Sequence, residues 1–341
     1  MKISIIIPTR NEEAYIGNVL ESIIHQDYLL DEMEILVVDG MSTDKTCEIV
    51  QQYANNYSFI NLLNNPLKTA PHALNLGIEK AQGELIFRMD AHASYPSNYI
   101  SELIKQMELN NADNVGGVIQ TLAGNNSNKA KAIAESAACI FGVGNSLFRI
   151  SAPTITQVDT VPFGCFKKEL FAKIGLFDED LTRNQDDEFN ARIVKNGGKI
   201  FLIPQVKVKY YARQDLKSLS RMFFQYGYFK PLVNKKIGKP TSIRQLFPPA
   251  FIILLVLNLS MPFINLRWAE PFFALFFLYL LLDVYFSLSI SIHKKKLPLF
   301  PWLMLIFPLL HIIYGVGYIW GLPHLWNKQH KTSLSSFEIS R

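Results

Sequence analysis

The chain has 341 residues, of which 49% are hydrophobic, and a formal net charge of +5 at pH 7. This length predicts more than one folding unit. The small positive charge, with no basic stripe interleaved with aromatic residues, excludes nucleic acid as a partner, and three cysteines without metal or redox spacing fit a reduced compartment.

The first 90 residues alternate between strand and helix patterns. Strands are predicted at residues 3–7, 34–38, 59–63 and 85–89, with helices at 12–25, after a Ser-Thr-Asp cap at 42–44, and at 70–81. This order predicts a parallel sheet with right-handed crossovers. Ligands of such sheets bind at the carboxyl ends of the strands, where residues 8–13, 39–40 and 90–92 lie. We therefore expect these three segments to form one site.

Asp90-Ala91-His92 follows the fourth predicted strand and is the most informative motif in the chain. Side chains alternate along an extended backbone, so Asp90 and His92 are expected on the same side. Together they can hold a divalent cation against a diphosphate. Because Mg²⁺ prefers oxygen ligands, an Asp/His pair favours Mn²⁺. The alternative is a turn-forming aspartate at a strand end, with a histidine that only caps or packs.

Residues 114–210 are less regular. Strands are predicted at 114–121, 199–203 and 206–210, and helices at 128–141, within 161–175 and at 186–196. The last helix begins with Asp186, Asp187 and Glu188. A carboxylate there can act as the general base that takes the proton of an acceptor hydroxyl, and Asp186 is the first candidate. The alternatives are Asp187, Glu188, or an acidic helix N-terminus that only favours the helix dipole.

The C-terminal third is strongly apolar. Residues 246–266 and 297–322 contain no Asp, Glu, Lys or Arg, and residues 271–292 contain only Asp283, which would face a lipid acceptor or another helix. Each run is long enough to cross about 30 Å of hydrocarbon as a helix. A helix near 216–233 mixes basic and aromatic residues and can lie flat at the membrane surface. We predict a soluble domain at 1–235, about three transmembrane helices at 246–322 and a tail at 323–341.

Basic residues predict the orientation of the apolar region. They cluster before the first run and at residues 294–296, between the second and third runs. The positive-inside rule then places both clusters in the cytoplasm. The apolar run at residues 3–7 is too short for a signal peptide, so the first domain is expected to stay cytoplasmic. The chain is thus predicted to be a multi-pass protein of the inner (plasma) membrane.

Six short segments occur in order along residues 1–235: Pro-Thr-Arg-Asn-Glu-Glu at 8–13, Val-Val-Asp-Gly with Ser-Thr-Asp at 37–44, Ala-Leu-Asn-Leu-Gly at 73–77, Asp-Ala-His at 90–92, Gly-Leu-Phe-Asp-Glu at 175–179 and Gln-Asp-Asp-Glu-Phe at 185–189. In this order they resemble the family 2 glycosyltransferases of the GT-A fold. Residues 88–93 and the apolar helices more narrowly resemble membrane-bound succinoglycan-type glucosyltransferases. The resemblance implies an α/β fold, in which a GT-A nucleotide-sugar-binding domain with a mostly parallel sheet precedes C-terminal transmembrane helices.

The resemblance also implies roles for individual residues. It implies that Asp186 is the catalytic residue and that Asp90 and His92 bind the metal ion. The residues that it implies in binding of the nucleotide sugar are Pro8, Thr9, Arg10, Glu12, Asp39, Asn75 and Asp90. The chain departs from the family at Arg10, where Tyr is common, and at His92, where a second Asp is usual. Processive synthases have a Gln-x-x-Arg-Trp motif, and this chain lacks its Arg-Trp ending. The absence of this ending favours transfer of a single sugar.

Together these features predict a metal-dependent, inverting hexosyltransferase that uses Mn²⁺ or Mg²⁺. Its expected donor is a nucleotide sugar, with a UDP-sugar favoured. Its expected acceptor is a polyprenyl-linked glycan in exopolysaccharide or cell-surface polysaccharide synthesis. One base without the paired carboxylates of glycoside hydrolases predicts inversion. The alternatives are a polyprenyl-phosphate monosaccharide synthase and, outside enzymes, a membrane scaffold that only binds nucleotide.

Overall fold

The computed structural model of the chain describes residues 2–264 and 266–325, so most of the predicted tail lies outside the described residues. The strands are β1 (Ile3–Thr9), β2 (Met33–Asp39), β3 (Ile60–Asn64), β4 (Leu85–Arg88), β5 (Ala93–Ser94), β6 (Asn114–Leu122), β7 (Thr156–Gln157), β8 (Cys165–Lys167) and β9 (Ile200–Tyr211). The helices are α1 (Ile16–Ile24), α2 (Thr46–Asn56), α3 (Ala70–Lys80), α4 (Tyr99–Leu109), α5 (Asn128–Ser136), α6 (Ile140–Val143), α7 (Leu147–Ile150), α8 (Lys168–Ile174), α9 (Gln185–Lys195), α10 (Leu216–Ile237), α11 (Phe247–Ile264), α12 (Leu266–His293) and α13 (Phe300–Gly321).

The strands form one mixed sheet in the order β3-β2-β1-β4-β8-β6-β9-β5, with β7 paired to β9. The pairs β1–β2, β1–β4 and β2–β3 are parallel, which confirms the parallel order predicted for the first 90 residues. Beyond β4 the sheet changes character, because β8 is antiparallel to both β4 and β6. The sheet is therefore parallel across β3-β2-β1-β4, as predicted, whereas the pairs β4–β8, β6–β8, β5–β9 and β7–β9 are antiparallel.

Strand β1 is buried on both faces, as its continuous apolar run predicts. Ile5 and Ile7 belong to the core cluster on one side of the sheet, and Ile6 belongs to the cluster on the other. The first cluster includes apolar residues of α1 and α4, and the second includes residues of α3, α8 and α9. The sheet thus has helices on both faces. Because the faces are covered, a ligand is expected to bind at the carboxyl ends of the parallel strands.

Several predicted elements differ from the structure. The two strands predicted on either side of Pro204 are a single strand, β9, because a proline removes one backbone donor without ending the strand. The helix predicted at 128–141 ends at Ser136 and a separate short helix, α6, begins at Ile140. The helix predicted from Glu12 begins only at Ile16, after a turn in which the carbonyl oxygen of Glu12 accepts the N–H groups of Tyr15 and Ile16 at 2.9 Å.

The described chain divides into two compact units. One lies within residues 2–120 and 147–210, and the other lies within residues 121–146 and 211–325. These limits differ from the predicted boundary at residue 235, because residues 121–146 and α10 pack with the C-terminal helices.

The second unit contains the apolar helices. Within the described residues, three segments are long and apolar enough to cross a membrane, namely Ile243–Phe263, Ala269–His293 and Leu297–Leu325, each with a mean hydropathy of 2.0. They coincide with the three predicted runs, and the chain is a membrane protein. Asp283 of α12 is fully buried by protein, and its Oδ1 accepts a hydrogen bond from Ser287 Oγ at 3.1 Å. This hydrogen bond lies within α12, so whether the carboxyl faces a lipid acceptor or another helix stays a prediction.

Helix α10 lies against α13 at very short range. A Cβ atom added to Gly227 would overlap the carbonyl oxygen of Tyr314, and one added to Gly317 would overlap that of Phe224. The predicted helix near 216–233 is therefore present and longer than expected, ending at Ile237. Its position at the membrane surface stays a prediction.

Residues 121–146 leave the sheet after β6 and pack into the same unit. Apolar residues of α5, including Ile133, share a core cluster with Leu303, Phe307 and other residues of α13. At α6, the ring of Phe141 stacks on Phe286 with ring centroids 5.1 Å apart, and its carbonyl oxygen lies 2.8 Å from His311 Nε2. A segment from the middle of the sequence is thus part of the core of the membrane unit.

Candidate active site

The site is built at the carboxyl ends of β1, β2 and β4, where the sequence predicts it. Asp39 ends β2 and is only 2% exposed. Its Oδ2 accepts the backbone N–H of Ser42 at 2.9 Å, and its Oδ1 accepts the Ser42 hydroxyl at 2.5 Å. The predicted hydroxyl cap at 42–44 is therefore wrong: Ser42 serves Asp39, and α2 begins later, at Thr46, after Lys45.

The end of β1 and the loop after it carry four of the predicted nucleotide-sugar residues, namely Pro8, Thr9, Arg10 and Glu12. Pro8 and Thr9 are paired with Val38 and Asp39 of β2, and Arg10 is exposed at the end of the strand. Asn11 adopts a left-handed φ of 55°, and its side-chain oxygen accepts the N–H of Thr43 at 2.8 Å. The loops after β1 and β2 are thus hydrogen-bonded to each other and form one edge of the site.

The Asp90-Ala91-His92 motif is a turn and not an extended segment. β4 ends at Arg88, and the N–H of Ala93 donates to the carbonyl oxygen of Asp90 at 3.2 Å. The prediction that Asp90 and His92 lie on the same side of an extended strand is therefore wrong, because the backbone at these residues is not extended. The turn instead places His92 Nδ1 3.3 Å from Oε1 of Glu12, which is largely buried.

The predicted metal ligands were tested against the donor atoms present. Among the described residues, no group of three or more His, Cys, Asp or Glu side chains is arranged to hold a metal ion. Mg²⁺ and similar ions of nucleotide enzymes are commonly held by one or two carboxylates and the substrate phosphates, so a complete protein cage is not required. The Asp90 carboxylate, with 17% exposure, and the adjoining His92–Glu12 pair offer oxygen and nitrogen donors that suit Mn²⁺.

The predicted base, Asp186, is joined to β4 by an ion pair. Asp186 is the second residue of α9, and Arg88 Nη1 donates to its Oδ1. The other arm of the same guanidinium, Nη2, lies 3.2 Å from Asp90 Oδ1. Burial raises the pKa of Asp186, and the negative charges of Asp90 and Asp187 raise it further, although Arg88 opposes the rise. A raised pKa makes a carboxylate a stronger proton acceptor.

Asn75 lies in a structural network. Its side-chain amide donates to the carbonyl oxygen of Phe177 and to Glu179 Oε1, both at 2.9 Å, and its oxygen accepts the N–H of Phe177 at 2.9 Å. Each amide hydrogen thus has a protein acceptor. These hydrogen bonds connect Asn75 of α3 to the segment 175–179. The contact of Asn75 with the nucleotide sugar stays a prediction.

Much of the part of the chain that carries this geometry matches a known protein family. The family model described as glycosyl transferase family 2 matches residues 4–175, about half of the chain, and these residues include β1 to β4 with their strand-end loops. The chain belongs to glycosyl transferase family 2. It is therefore a glycosyltransferase, as the order of its six motifs predicts.

Two curated relatives of this glycosyltransferase are informative. It is 30% identical over 331 residues to a dolichyl N-acetyl-α-D-glucosaminyl phosphate 3-β-D-2,3-diacetamido-2,3-dideoxy-β-D-glucuronosyltransferase of Methanococcus voltae, covering 94% of this chain and 97% of the relative. It is 28% identical over 248 residues to the succinoglycan biosynthesis protein ExoA of Rhizobium meliloti, covering 72% and 74%. The narrower resemblance to the succinoglycan-type enzymes is thereby confirmed.

Solved structures confirm the GT-A fold. A mannosyltransferase of Pyrobaculum calidifontis, in complex with GDP-Man and Mn²⁺, aligns with a TM-score of 0.58 at 19% identity, covering 96% of this chain and 88% of that chain. The enzyme TarS of Staphylococcus aureus aligns with a TM-score of 0.53 at 21% identity, covering 73% and 69%. At these identities the likeness concerns the fold alone.

The residue of this glycosyltransferase that sequence reasoning missed is Arg88. Arg88 belongs to the segment 88–93 that carries the narrower resemblance, but no role in the site is predicted for it, although it is the one charged residue in the apolar run 85–89. An arginine in a strand that is buried on both faces must be paired, because an unpaired buried charge is very costly. That argument predicts carboxylate partners for Arg88, and the structure shows Asp90 and Asp186 in this place.

Proposed function

We propose that this glycosyltransferase is inverting and metal-dependent, and that it transfers one hexose from a UDP-sugar to a polyprenyl-linked glycan. The observation that carries the proposal is the joined pair of carboxylates: one guanidinium holds Asp90, at the end of β4, and Asp186, at the start of α9. Asp90 lies beside the loops that follow the parallel strands, where a nucleotide diphosphate binds in such sheets. Asp186 then lies on the acceptor side.

In the proposed reaction, Asp186 accepts the proton of the acceptor hydroxyl while that oxygen attacks C1 of the sugar. The bond from C1 to the diphosphate breaks in the same displacement, so the configuration at C1 inverts. Asp39 and the loop after β1 hold the nucleoside. Asp90 and His92 would hold Mn²⁺ or Mg²⁺, which would supply charge neutralisation of the departing diphosphate.

The proposed acceptor is a lipid-linked glycan. The Methanococcus voltae relative is named for an acceptor that already carries one sugar on a dolichyl phosphate, and the Rhizobium meliloti relative is named for succinoglycan biosynthesis. Three apolar helices keep this chain in the membrane, where a polyprenyl-linked acceptor is confined. These observations support an exopolysaccharide or cell-surface polysaccharide product over transfer to a soluble acceptor.

We further propose that the catalytic domain is cytoplasmic and that the membrane is the inner (plasma) membrane. Lys294 Nζ lies 2.7 Å from Glu135 Oε1, and Arg244 Nη1 lies 3.1 Å from the carbonyl oxygen of Asn145. Arg244, which precedes α11, and Lys294, which follows α12, thus both lie against residues 121–146. This supports two crossings that begin and end on the same side, with the basic residues inside.

The test is transfer by membranes that contain the protein. They are incubated with a panel of labelled nucleotide sugars and a polyprenyl lipid extract, beside membranes that contain Asp186→Asn. The expected product is a lipid with one added sugar on a diphosphate-linked glycan. A monophosphate-linked monosaccharide would instead establish the alternative, a polyprenyl-phosphate monosaccharide synthase. Nucleotide binding with no transfer and no donor hydrolysis would point to the scaffold and refute the proposal.

A further inference from the structure

Arg88 is a buried cation whose charge is shared by two acidic residues. All four residues of β4 are buried, and the Arg88 side chain is only 9% exposed. Nη1 donates to Asp186 and Nη2 contacts Asp90, whereas the buried Nε has no hydrogen-bond partner among the described residues. The positive charge is therefore compensated by these two carboxylates, which come from different parts of the chain.

The shape of the guanidinium makes this contact directional. Its nitrogens lie in one plane in a fixed fork, so an oxygen on Nη1 and an oxygen on Nη2 keep a set relation to each other. The Asp186 side chain is 35% exposed, which would leave it room to rotate without Arg88.

The cavity beside this pair has an apolar wall. It is lined by Arg88 and Asp186 together with Val161, Phe163, Gly164, Phe166, Phe177, Phe189 and Asn190. On this apolar side the ion pair lies at lower dielectric, where charges attract each other more strongly. This attraction favours the orientation of Asp186 that meets Arg88.

We propose that Arg88 is a positioning residue of the transfer reaction. Its Nη1 fixes the position of the Asp186 carboxylate, while its Nη2 is held by Asp90. Arg88 thereby sets the distance and direction from the base to the diphosphate site, and so the place where the base meets the acceptor hydroxyl. This inference rests on the proposed function, since it acts through Asp186 as the base. Arg88 touches neither the sugar nor the acceptor in this account.

The experiment is a double-mutant cycle on kcat with Arg88→Met, Asp186→Asn and the double variant. Arg88→Met alone is expected to lower kcat on the order of 10²-fold, the cost of a misplaced catalytic group, with little change in the KM of the acceptor. In the Asp186→Asn background it is expected to change kcat by less than about twofold, because residues that act as a unit are not additive. UDP affinity without metal is measured on all four proteins and is expected to be unchanged.

Arg192→Met is the matched control. Arg192 lies on α9, the helix of Asp186. It donates hydrogen bonds to Glu188 and to the carbonyl oxygens of Ile174 and Leu176. Its effect on kcat is expected to be additive with Asp186→Asn, as for a residue that only supports the fold. Where Arg88→Met does not fold, Arg88→Lys keeps the charge but not the fork, and the same cycle applies.

The outcomes separate this inference from the proposed function. Additive effects of Arg88 and Asp186 in an active enzyme, or a loss of UDP affinity in Arg88→Met, would overturn the positioning role and leave the transfer reaction intact. Full activity of Asp186→Asn would remove the base and overturn the inference with it. A wild-type protein that transfers no sugar would instead refute the proposed function itself.

Discussion

At the scale of single residues, Asp186 combines a raised pKa with partial exposure, which is the combination that a general base needs. Asp186→Asn keeps the size of the side chain and removes the basic oxygen. We expect the transfer rate to fall on the order of 10²–10⁴-fold, while UDP affinity stays normal because Asp39 and Asp90 hold the donor in the proposed reaction. Transfer rate and UDP affinity are measured on the same preparation.

Asp187→Asn is the control for this change, since Asp187 is the next residue of α9 and is only partly buried. It is expected to retain most of its transfer activity. A normal rate for Asp186→Asn beside an inactive Asp187→Asn would move the role of base by one residue. Normal rates for both would leave the acidic cluster as a helix N-terminus that interacts with the dipole.

Metal dependence is a second prediction at this scale. Asp90→Ala is expected to abolish transfer, and His92→Ala is expected mainly to weaken the affinity for Mn²⁺, because the ring is also held by Glu12 and by the edge of Tyr210. The measurement is the transfer rate against Mn²⁺ and Mg²⁺ concentration after removal of metal. Undiminished transfer in excess EDTA would contradict the role of the ion.

The sequence located the predicted residues well but not their partners. Asp39, Asp90 and Asp186 could be placed because strand ends and helix starts are visible in the hydrophobic pattern. The Arg88–Asp186 pair joins residues 98 positions apart, and no local pattern encodes such a contact. The Asn75 network could not be predicted for the same reason, since its acceptors lie more than 100 residues away.

At the scale of elements, the close approach of α10 and α13 depends on Gly227. Gly227→Ala is expected to destabilise the protein by about 1–3 kcal/mol, because the added methyl group forces two helix backbones apart. Helix propensity alone would favour alanine by roughly 1 kcal/mol, so the sign of the change is informative. Thermal unfolding of the detergent-solubilised protein is the measurement.

Gly17→Ala is the matched substitution, since a Cβ on Gly17 of α1 would meet no atom closer than 3.8 Å. It is expected to leave the protein unchanged or slightly more stable. An equal effect of the two substitutions would show that the α10–α13 contact contributes nothing particular to stability.

Among the elements, those with a long and clear period were predictable and the short ones were not. β1 to β4, α3 and α9 lie within a few residues of their predicted limits because each has an apolar run or a 3.6-residue period. β8 has three residues and is followed at once by α8, so it has no readable period of its own. It is fixed by pairing with β4 and β6, which are distant in sequence.

At the scale of the whole molecule, topology can be tested with reporter fusions. A reporter at residue 268 is expected to be external and one at residue 295 internal, because basic residues flank the start of the first span and the end of the second. The salt bridge of Lys294 with Glu135 adds a structural reason for the second expectation. A cytoplasmic signal at residue 268 would mean that the first apolar helix does not cross.

The packing of residues 121–146 on α13 predicts how a truncated chain behaves. A fragment that ends at residue 240 keeps Ile133 and Phe141 but loses Leu303, Phe307 and His311. We expect this fragment to aggregate without detergent, because it exposes a contiguous apolar face. Size-exclusion chromatography without detergent checks this, and a monodisperse soluble fragment would contradict it.

The same packing also sets the order of events during synthesis. Ile133 leaves the ribosome 174 residues before Phe307 (307 − 133), its neighbour in the core of the membrane unit. At roughly 5–20 residues per second, α5 waits about 10–35 s for the helix that covers it. During that interval its apolar face can contact the α10 residues of the same cluster, such as Leu219, but lacks α13, so this core is completed only after the last helix has been made.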